Sequence, residues 1–134
     1  GPWADAFCGL LAAGGLACTS VGPTAYNGSA AVKFLWICVL GVICDRFGCT
    51  VGEAVSERHA EVAALAEELS SIVCSELGIG RIEDLPKELA DYSMTIPGYR
   101  ASVKEWRWRN GWIWERSQTP LHRLWLEESG RRLE

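Results

Sequence analysis

The segment with the most distinctive side-chain chemistry places four Trp among Arg residues near the end of the chain: Trp106, Arg107, Trp108, Arg109, Asn110, Gly111, Trp112, Ile113 and Trp114. On one continuous helix Trp106 and Trp108 lie about 200° apart, whereas Trp108 and Trp112 share a face. One set of rings is therefore expected in the core and the other at a second surface. Three uses remain open: Arg stacked on indoles in a large core, a protein interface, and stacking of single-stranded nucleic acid.

The composition of the chain argues against one of these three uses, the binding of nucleic acid. The chain has 134 residues, 49% of them hydrophobic, and a formal net charge of -4. The length fits one domain, and the apolar content excludes a disordered chain. Because nucleic-acid binders usually carry a basic surplus, the acidic balance argues against that partner.

The cysteines and histidines form no ligand pattern. The six cysteines are Cys8, Cys18, Cys38, Cys44, Cys49 and Cys74, and no Cys-x-x-Cys spacing occurs among them. Several lie in apolar runs, where a free Cys acts as a small hydrophobe. We predict reduced thiols, no metal site, and an intracellular, reducing location in the cytoplasm or an organelle matrix (plastid or mitochondrion). His59 and His122 stand alone and are interpreted as surface or packing residues.

The longest apolar run covers only residues 34–44, with Lys33 at its head. A membrane-spanning helix needs about 20 apolar residues, so the run predicts a buried core helix and no membrane span. Residues 1–2 are Gly-Pro, typical of a protease-cleavage remnant left from cloning, and are excluded from fold reasoning.

Charge is distributed unevenly along the chain. Residues 53–97 carry a net charge of -7, and residues 98–134 carry +3. The acidic middle and the basic, Trp-rich end are therefore expected to attract each other, either within one fold or across a dimer.

Helical periodicity dominates the chain, and it predicts a mainly α fold, a bundle of about six helices after a short N-terminal helix and strand. The predicted helices cover residues 3–13, 27–44 (with Asn27 or Ser29 as N-cap), a short segment capped by Thr50, 56–77, 84–92, 99–116 and 119–130. Residues 16–21 are predicted as a short strand.

The order of these segments resembles the ketopantoate reductase family. "FCGLLAAGGLACTSV" resembles the helix and strand that close its nucleotide-binding domain, which assigns residues 3–26 to the end of a Rossmann domain plus a linker. "AVKFLWICVLGVICDRFGCTVGEAV", "RHAEVAALAEELSSIVCSELGIG", "YRASVKEWRWRNGW" and "TPLHRLWLEESG" resemble successive helices of the C-terminal domain, which assigns residues 27–134 to it.

The resemblance implies a chemistry. The family reduces ketopantoate to pantoate with NADPH, which binds to an N-terminal Rossmann domain. Its catalytic Lys matches Lys33, suited to donate a proton or hydrogen bond to the substrate carbonyl. The family's two Asn residues, four and eight positions further on, are replaced here by Ile37 and Gly41.

The remaining family positions match less directly. The substrate-binding Ser matches Ser102, and the catalytic Glu falls near Glu115 or Glu105. The chain contains no Gly-x-Gly-x-x-Gly, so no cofactor is expected on it, and NADPH is expected only if a Rossmann domain precedes it.

Three functions follow from these observations. The first is a non-catalytic module that binds a protein or forms a homo-oligomer, with an interface built from Trp106, Arg107, Trp108, Arg109, Trp112 and Trp114. The second is the substrate-side domain of an NADPH-dependent 2-oxo acid reductase, cut from a longer chain. The third is a structural subunit of a larger complex.

Overall fold

A computed structural model describes residues 23–133, and over this range the chain is a helical bundle. Its elements are α1 (Pro23–Phe47), α2 (Val51–Glu57), α3 (His59–Leu77), α4 (Leu85–Thr95), a 3-10 turn (Trp106–Trp108), α5 (Asn110–Arg116) and α6 (Pro120–Glu128). The predicted mainly α fold of about six helices is confirmed, and residues 23–133 contain no β-strand. The helix and strand predicted for residues 3–13 and 16–21 lie outside the described part of the chain.

Helix α1 forms the centre of the bundle and packs against α2, α3, α4 and α6. Most of its side chains from Phe34 to Cys44 are buried, Phe34, Leu35, Leu40 and Ile43 completely, whereas Lys33 at the head of this run is exposed. This is the all-round burial that its apolar run predicts. The helix begins at Pro23 rather than at the predicted Asn27 or Ser29 cap, and continues past Cys44 to Phe47.

The predicted helix 56–77 is wrong at its start. Thr50 caps α2 as expected, in a capping box in which the Glu53 amide donates to the Thr50 hydroxyl at 3.2 Å. That helix already includes Ser56, and a break at Arg58 separates it from α3. The Arg58 amide still donates to the Ala54 carbonyl and the Arg58 carbonyl still accepts from the Val62 amide, so Arg58 is the end of one helix and the start of the next.

The second long helix, α3, carries its apolar residues at intervals of three and four, the spacing that places them on one face. Val62, Leu65, Ala66, Leu69 and Val73 are buried along one face. Gly78 ends the helix in the left-handed conformation, with φ of 66°.

The predicted helix 99–116 is also wrong, because its first half is not helical. Residues 99–105 cross the bundle in an irregular conformation, and only residues 110–116 form α5. The Val51 amide donates to the Tyr99 carbonyl at 2.8 Å, and the Val103 amide donates to the Asp45 carboxylate at 2.8 Å. These tertiary hydrogen bonds replace those of a local helix and override its propensity.

Gly41 permits this crossing. A Cβ placed on Gly41 would lie 2.8 Å from the Ser102 carbonyl oxygen, closer than side-chain atoms normally approach. The glycine therefore lets the irregular segment lie directly on α1.

Candidate functional site

An open groove of about 900 Å³ lies between the first half of α1, the loop after α3, and α4. Its walls combine apolar and charged side chains, among them Val32, Lys33, Trp36, Ile79, Arg81, Ile82, Glu83, Glu88, Asp91 and Tyr92. Apolar walls with a few polar groups are typical of binding sites. We call this feature the α1–α4 groove.

Trp36 forms the floor where α1 meets α4. Its indole Nε1 donates to the buried Ser93 hydroxyl at 2.9 Å. The ring makes an edge contact with Tyr92, with centroids 4.7 Å apart, and stacks on Tyr99 at 6.1 Å. Because the indole is held by a hydrogen bond and two rings, the groove floor has a fixed shape. Sequence reasoning missed Ser93, whose partner lies 57 residues away.

An exposed apolar strip continues from the groove along the end of α4 and the following turn. It consists of Tyr92, Met94, Ile96 and Tyr99, which are 50%, 54%, 40% and 44% exposed. Of the five large hydrophobic residues exposed in the described chain, only Leu124 lies outside this strip. Four exposed apolar side chains within eight residues, one of which lines the groove, concentrate apolar area at this end of α4.

The rim of the groove carries both signs of charge. Lys33 on α1 is exposed and makes no ion pair within the described chain. Arg81 approaches Glu67 at 3.6 Å, and Asp91 pairs with Lys87 at 2.7 Å, both on the surface. Glu88 is exposed on the opposite wall. Lys33 therefore faces solvent at the edge of an apolar surface with acidic groups across from it.

The predicted catalytic residues do not come together around Lys33. Ser102 lies beside Gly41, eight residues further along α1, which corresponds to about 12 Å along the helix axis. Ser102 does not line the groove. An Asn at position 41 would collide with the Ser102 carbonyl, so the amide that the resemblance requires has no room there.

The two candidate carboxylates also lie elsewhere. Glu105 has a left-handed backbone with φ of 46°, and it forms an ion pair with Arg109 at 2.8 Å. Glu115 is exposed on α5. Neither side chain lines the groove that contains Lys33. The structure does not assemble the four predicted residues into one site.

The Trp and Arg segment is folded onto the bundle rather than along one helix. The 3-10 turn carries Trp106 and Trp108, and α5 begins after it, so the predicted geometry of a single helix is wrong. The turn folds back so closely that the Trp106 carbonyl occupies the space a Cβ on Gly111 would need. Trp114 is only 8% exposed, and the other three indoles are half-buried.

An Arg side chain covers each of these four rings. Arg131 lies 4.1 Å above Trp106, and Arg116 lies 3.8 Å above Trp112. Arg107 and Arg123 cover Trp108 and Trp114 in the same way. Such contacts shield the indole faces. They match the core-packing interpretation of the segment; its role as a partner interface stays a prediction.

A buried polar cluster joins α1, α5 and α6. The Asn110 amide nitrogen donates to the Cys38 carbonyl at 3.2 Å and lies 3.1 Å from His122 Nε2. Burial lowers the pKa of His122 to about 4, so the imidazole is neutral near pH 7. Of the two roles predicted for His122, surface or packing, the structure shows the packing role. The sequence gives no signal for the contact between His122 and Asn110, which are 12 residues apart.

Next to this cluster, the side chain of Glu68 on α3 caps the N-terminus of α6. Its carboxylate oxygens accept the Leu121 and His122 amides at 3.0 and 2.9 Å. Thr119 occupies the N-cap position, but its side chain makes no capping bond. A carboxylate at a helix N-terminus pairs with amides that lack partners in the helix and with the positive end of the dipole.

No family model, curated protein or solved structure matches this chain. The ketopantoate reductase resemblance therefore stays a prediction.

Three features of residues 23–133 bear on the binding of a cofactor, a metal or a membrane. The only Gly-x-Gly there, Gly78 to Gly80, follows a helix and has Glu83 where a third Gly is needed, so these residues do not fit a nucleotide phosphate. Residues 23–133 hold no cluster of three metal-ligating side chains. Residues 28–47 of α1 are long and apolar enough to cross a membrane, but 67% of that window is buried in the bundle, as in a core helix.

Proposed function

We propose that this helical domain is an oligomerisation module in which two copies associate through the α1–α4 groove and the exposed apolar strip. The exposure of Tyr92, Met94, Ile96 and Tyr99 beside one groove carries the proposal. Burying such a surface against a second copy removes apolar area from water, at about 25 cal/mol per Å². Tyr is also among the side chains that contribute most at protein interfaces.

The charges around the groove favour a second copy of this chain as the partner. A two-fold interface brings the same patch of both copies together, so each patch must contain groups that complement one another. The rim contains cationic Lys33 and Arg81 together with anionic Glu83, Glu88 and Asp91. Cations of one copy can therefore face anions of the other, which orients the pair.

The expected affinity is modest. Helix α4 has 11 residues, which corresponds to about 16 Å of length. A face of that length is small beside a standard interface, which buries about 800 Å² on each partner. We expect a dissociation constant in the micromolar range, equivalent to about 8 kcal/mol of binding free energy.

Light scattering after size-exclusion chromatography tests this proposal on the full chain. Met94→Glu places a charge on one of the strip residues, and Leu124→Glu places the same charge on α6, outside the strip, at a residue of similar exposure (45% against 54%). We expect a wild-type dimer, a dimer for Leu124→Glu, and a monomer for Met94→Glu at the same concentration. A wild-type chain that stays monomeric at high micromolar concentration, or two variants of equal mass, would contradict the proposal.

A second candidate, the substrate-side domain of a 2-oxo acid reductase, rests on Lys33 alone. Its side chain lines a groove large enough for a small acid. The test is NADPH oxidation with ketopantoate by the natural full-length protein and by its Lys33→Ala variant. Turnover that is lost in the variant would support this candidate, and its absence from the wild-type protein would reject it.

A further inference from the structure

Two cysteines meet at the end of α1. The Gly48 and Cys49 amides both donate to the Cys44 carbonyl, at 2.8 and 3.4 Å, and Gly48 has the left-handed φ of 63°. This is a Schellman-type helix end, in which the side chain three residues before the cap contacts the side chain two residues after it. Here those side chains are Cys44 and Cys49.

The two thiols differ in access. Cys44 is fully buried. Cys49 is half-buried at the surface end of the pair. A reagent in solution therefore meets Cys49 first, whereas Cys44 can react only with its neighbour.

We propose that Cys44 and Cys49 are a modification site at which a low-molecular-weight disulfide forms an intramolecular disulfide. The Cys49 thiolate attacks one sulfur of the reagent, forming a mixed disulfide and releasing one thiolate. The Cys44 thiolate then attacks the Cys49 sulfur and releases the second thiolate. The protein loses two protons and two electrons, and the reagent is reduced to two thiols.

The surroundings determine the rate of this reaction. Burial raises the pKa of Cys44 to about 12 and also raises that of Cys49, on which nearby Arg58 and Arg100 have a smaller, opposite effect. The thiolate is the reactive form, and below the pKa its fraction rises about tenfold with each unit of increasing pH. Each step therefore accelerates by about the same factor. The pair is therefore slow near pH 7 and fast in alkaline solution.

The side-chain contact also favours the second step. Side chains that meet across such a helix end need little movement to bring their sulfurs together, and a positioned intramolecular attack has a large kinetic advantage over a bimolecular one. The mixed disulfide on Cys49 is therefore expected as a transient species. Because the loop closed by the bond contains few residues, the bond stabilises the fold less than a disulfide that closes a long loop.

Oxidised glutathione tests the inference on the folded full chain, in a background with Cys8→Ser and Cys18→Ser. Intact mass and peptide mapping after rapid alkylation are expected to give a product that lacks two hydrogen atoms and joins residues 44 and 49. Formation should accelerate with pH. The Cys49→Ser variant should form no such link, whereas the matched control Cys74→Ser should form it at the wild-type rate.

Two outcomes would overturn the inference. One is a glutathione adduct on Cys49 that persists across the alkaline range without conversion to the internal disulfide. The other is an internal disulfide formed equally well in the Cys49→Ser variant, which would assign the reaction to other thiols. Circular dichroism of each variant before oxidation shows that the comparison is made on folded chains.

Discussion

Removing the Glu68 carboxylate should destabilise the whole bundle through the N-terminus of α6. Glu68 on α3 accepts two backbone amides of α6, at 3.0 and 2.9 Å, and no capping bond from the side chain of Thr119 replaces them. In Glu68→Ala both amides lose this acceptor in a half-buried setting, and the link between α3 and α6 is cut.

The magnitude follows from the two contacts. A hydrogen bond to a charged group contributes about 1.5–3 kcal/mol, and loss of a helix cap costs about 1 kcal/mol. Partial solvation of the amides in the variant reduces the sum. We expect Glu68→Ala to lower the free energy of unfolding by about 2–3 kcal/mol, and Glu68→Gln, which keeps one acceptor oxygen, by about half as much.

Urea unfolding followed by circular dichroism measures these differences, and the adjacent residue supplies the control. Glu67 is exposed and lies 3.6 Å from Arg81, a surface pair for which about 0–1 kcal/mol is expected. Glu67→Ala should therefore shift the urea midpoint only slightly. Equal midpoints for Glu67→Ala and Glu68→Ala would refute the capping argument.

Three further predictions concern the core. His122 has a pKa of about 4 in the fold against 6.5 for an unperturbed His, so the unfolded chain binds more protons and stability falls as pH drops from about 6.5 to 4. The loss is about 3 kcal/mol, and urea unfolding should show a flatter pH dependence for His122→Gln; parallel curves would argue against a buried neutral imidazole. Gly41→Ala should cost about 1–3 kcal/mol in thermal or urea unfolding, because its Cβ would meet the Ser102 carbonyl at 2.8 Å; a stabilised variant would mean that the crossing segment is not held there. Trp108→Ala and Trp112→Ala, made separately, should each lower stability by about 2 kcal/mol without changing the oligomer mass, since both rings are half-buried. A lower mass with unchanged stability would instead assign these rings to an interface.

Local pattern predicts the elements whose hydrogen bonds are local. Thr50 and Glu53 lie three residues apart, so their capping box is readable from the sequence alone. The stripe from Val62 to Val73 predicts the buried face of α3 because that face follows the helical period.

Local pattern fails where distant partners decide the conformation. Residues 99–105 have helical composition, but the carboxylate of Asp45 and the amide of Val51 hold them in an irregular path. The break at Arg58 has no Gly or Pro to mark it. Neither feature has a local signal that a period-based prediction can use.

The candidate site was predictable only in part. The family resemblance selects Lys33 as a site residue, and Lys33 lines the groove, although the other residues that the resemblance selects do not. The sequence did not identify Trp36 and Tyr92, because the groove floor forms only when α1 packs against α4. Trp36 and its hydrogen-bond partner Ser93 are 57 residues apart in the chain. The segment with four Trp is distinctive in composition, but its sequence does not show that Arg side chains cover the four rings in the fold.

The most direct test of the oligomerisation account is hydroxyl-radical footprinting of the full chain over a range of concentrations. In dilute solution Tyr92 and Met94 should be oxidised readily, since each is about half exposed. At concentrations where the chain associates, both should become protected, while Leu124 keeps its dilute reactivity. Constant oxidation of Tyr92 and Met94 as the particle mass doubles would place the interface on another face and contradict the account.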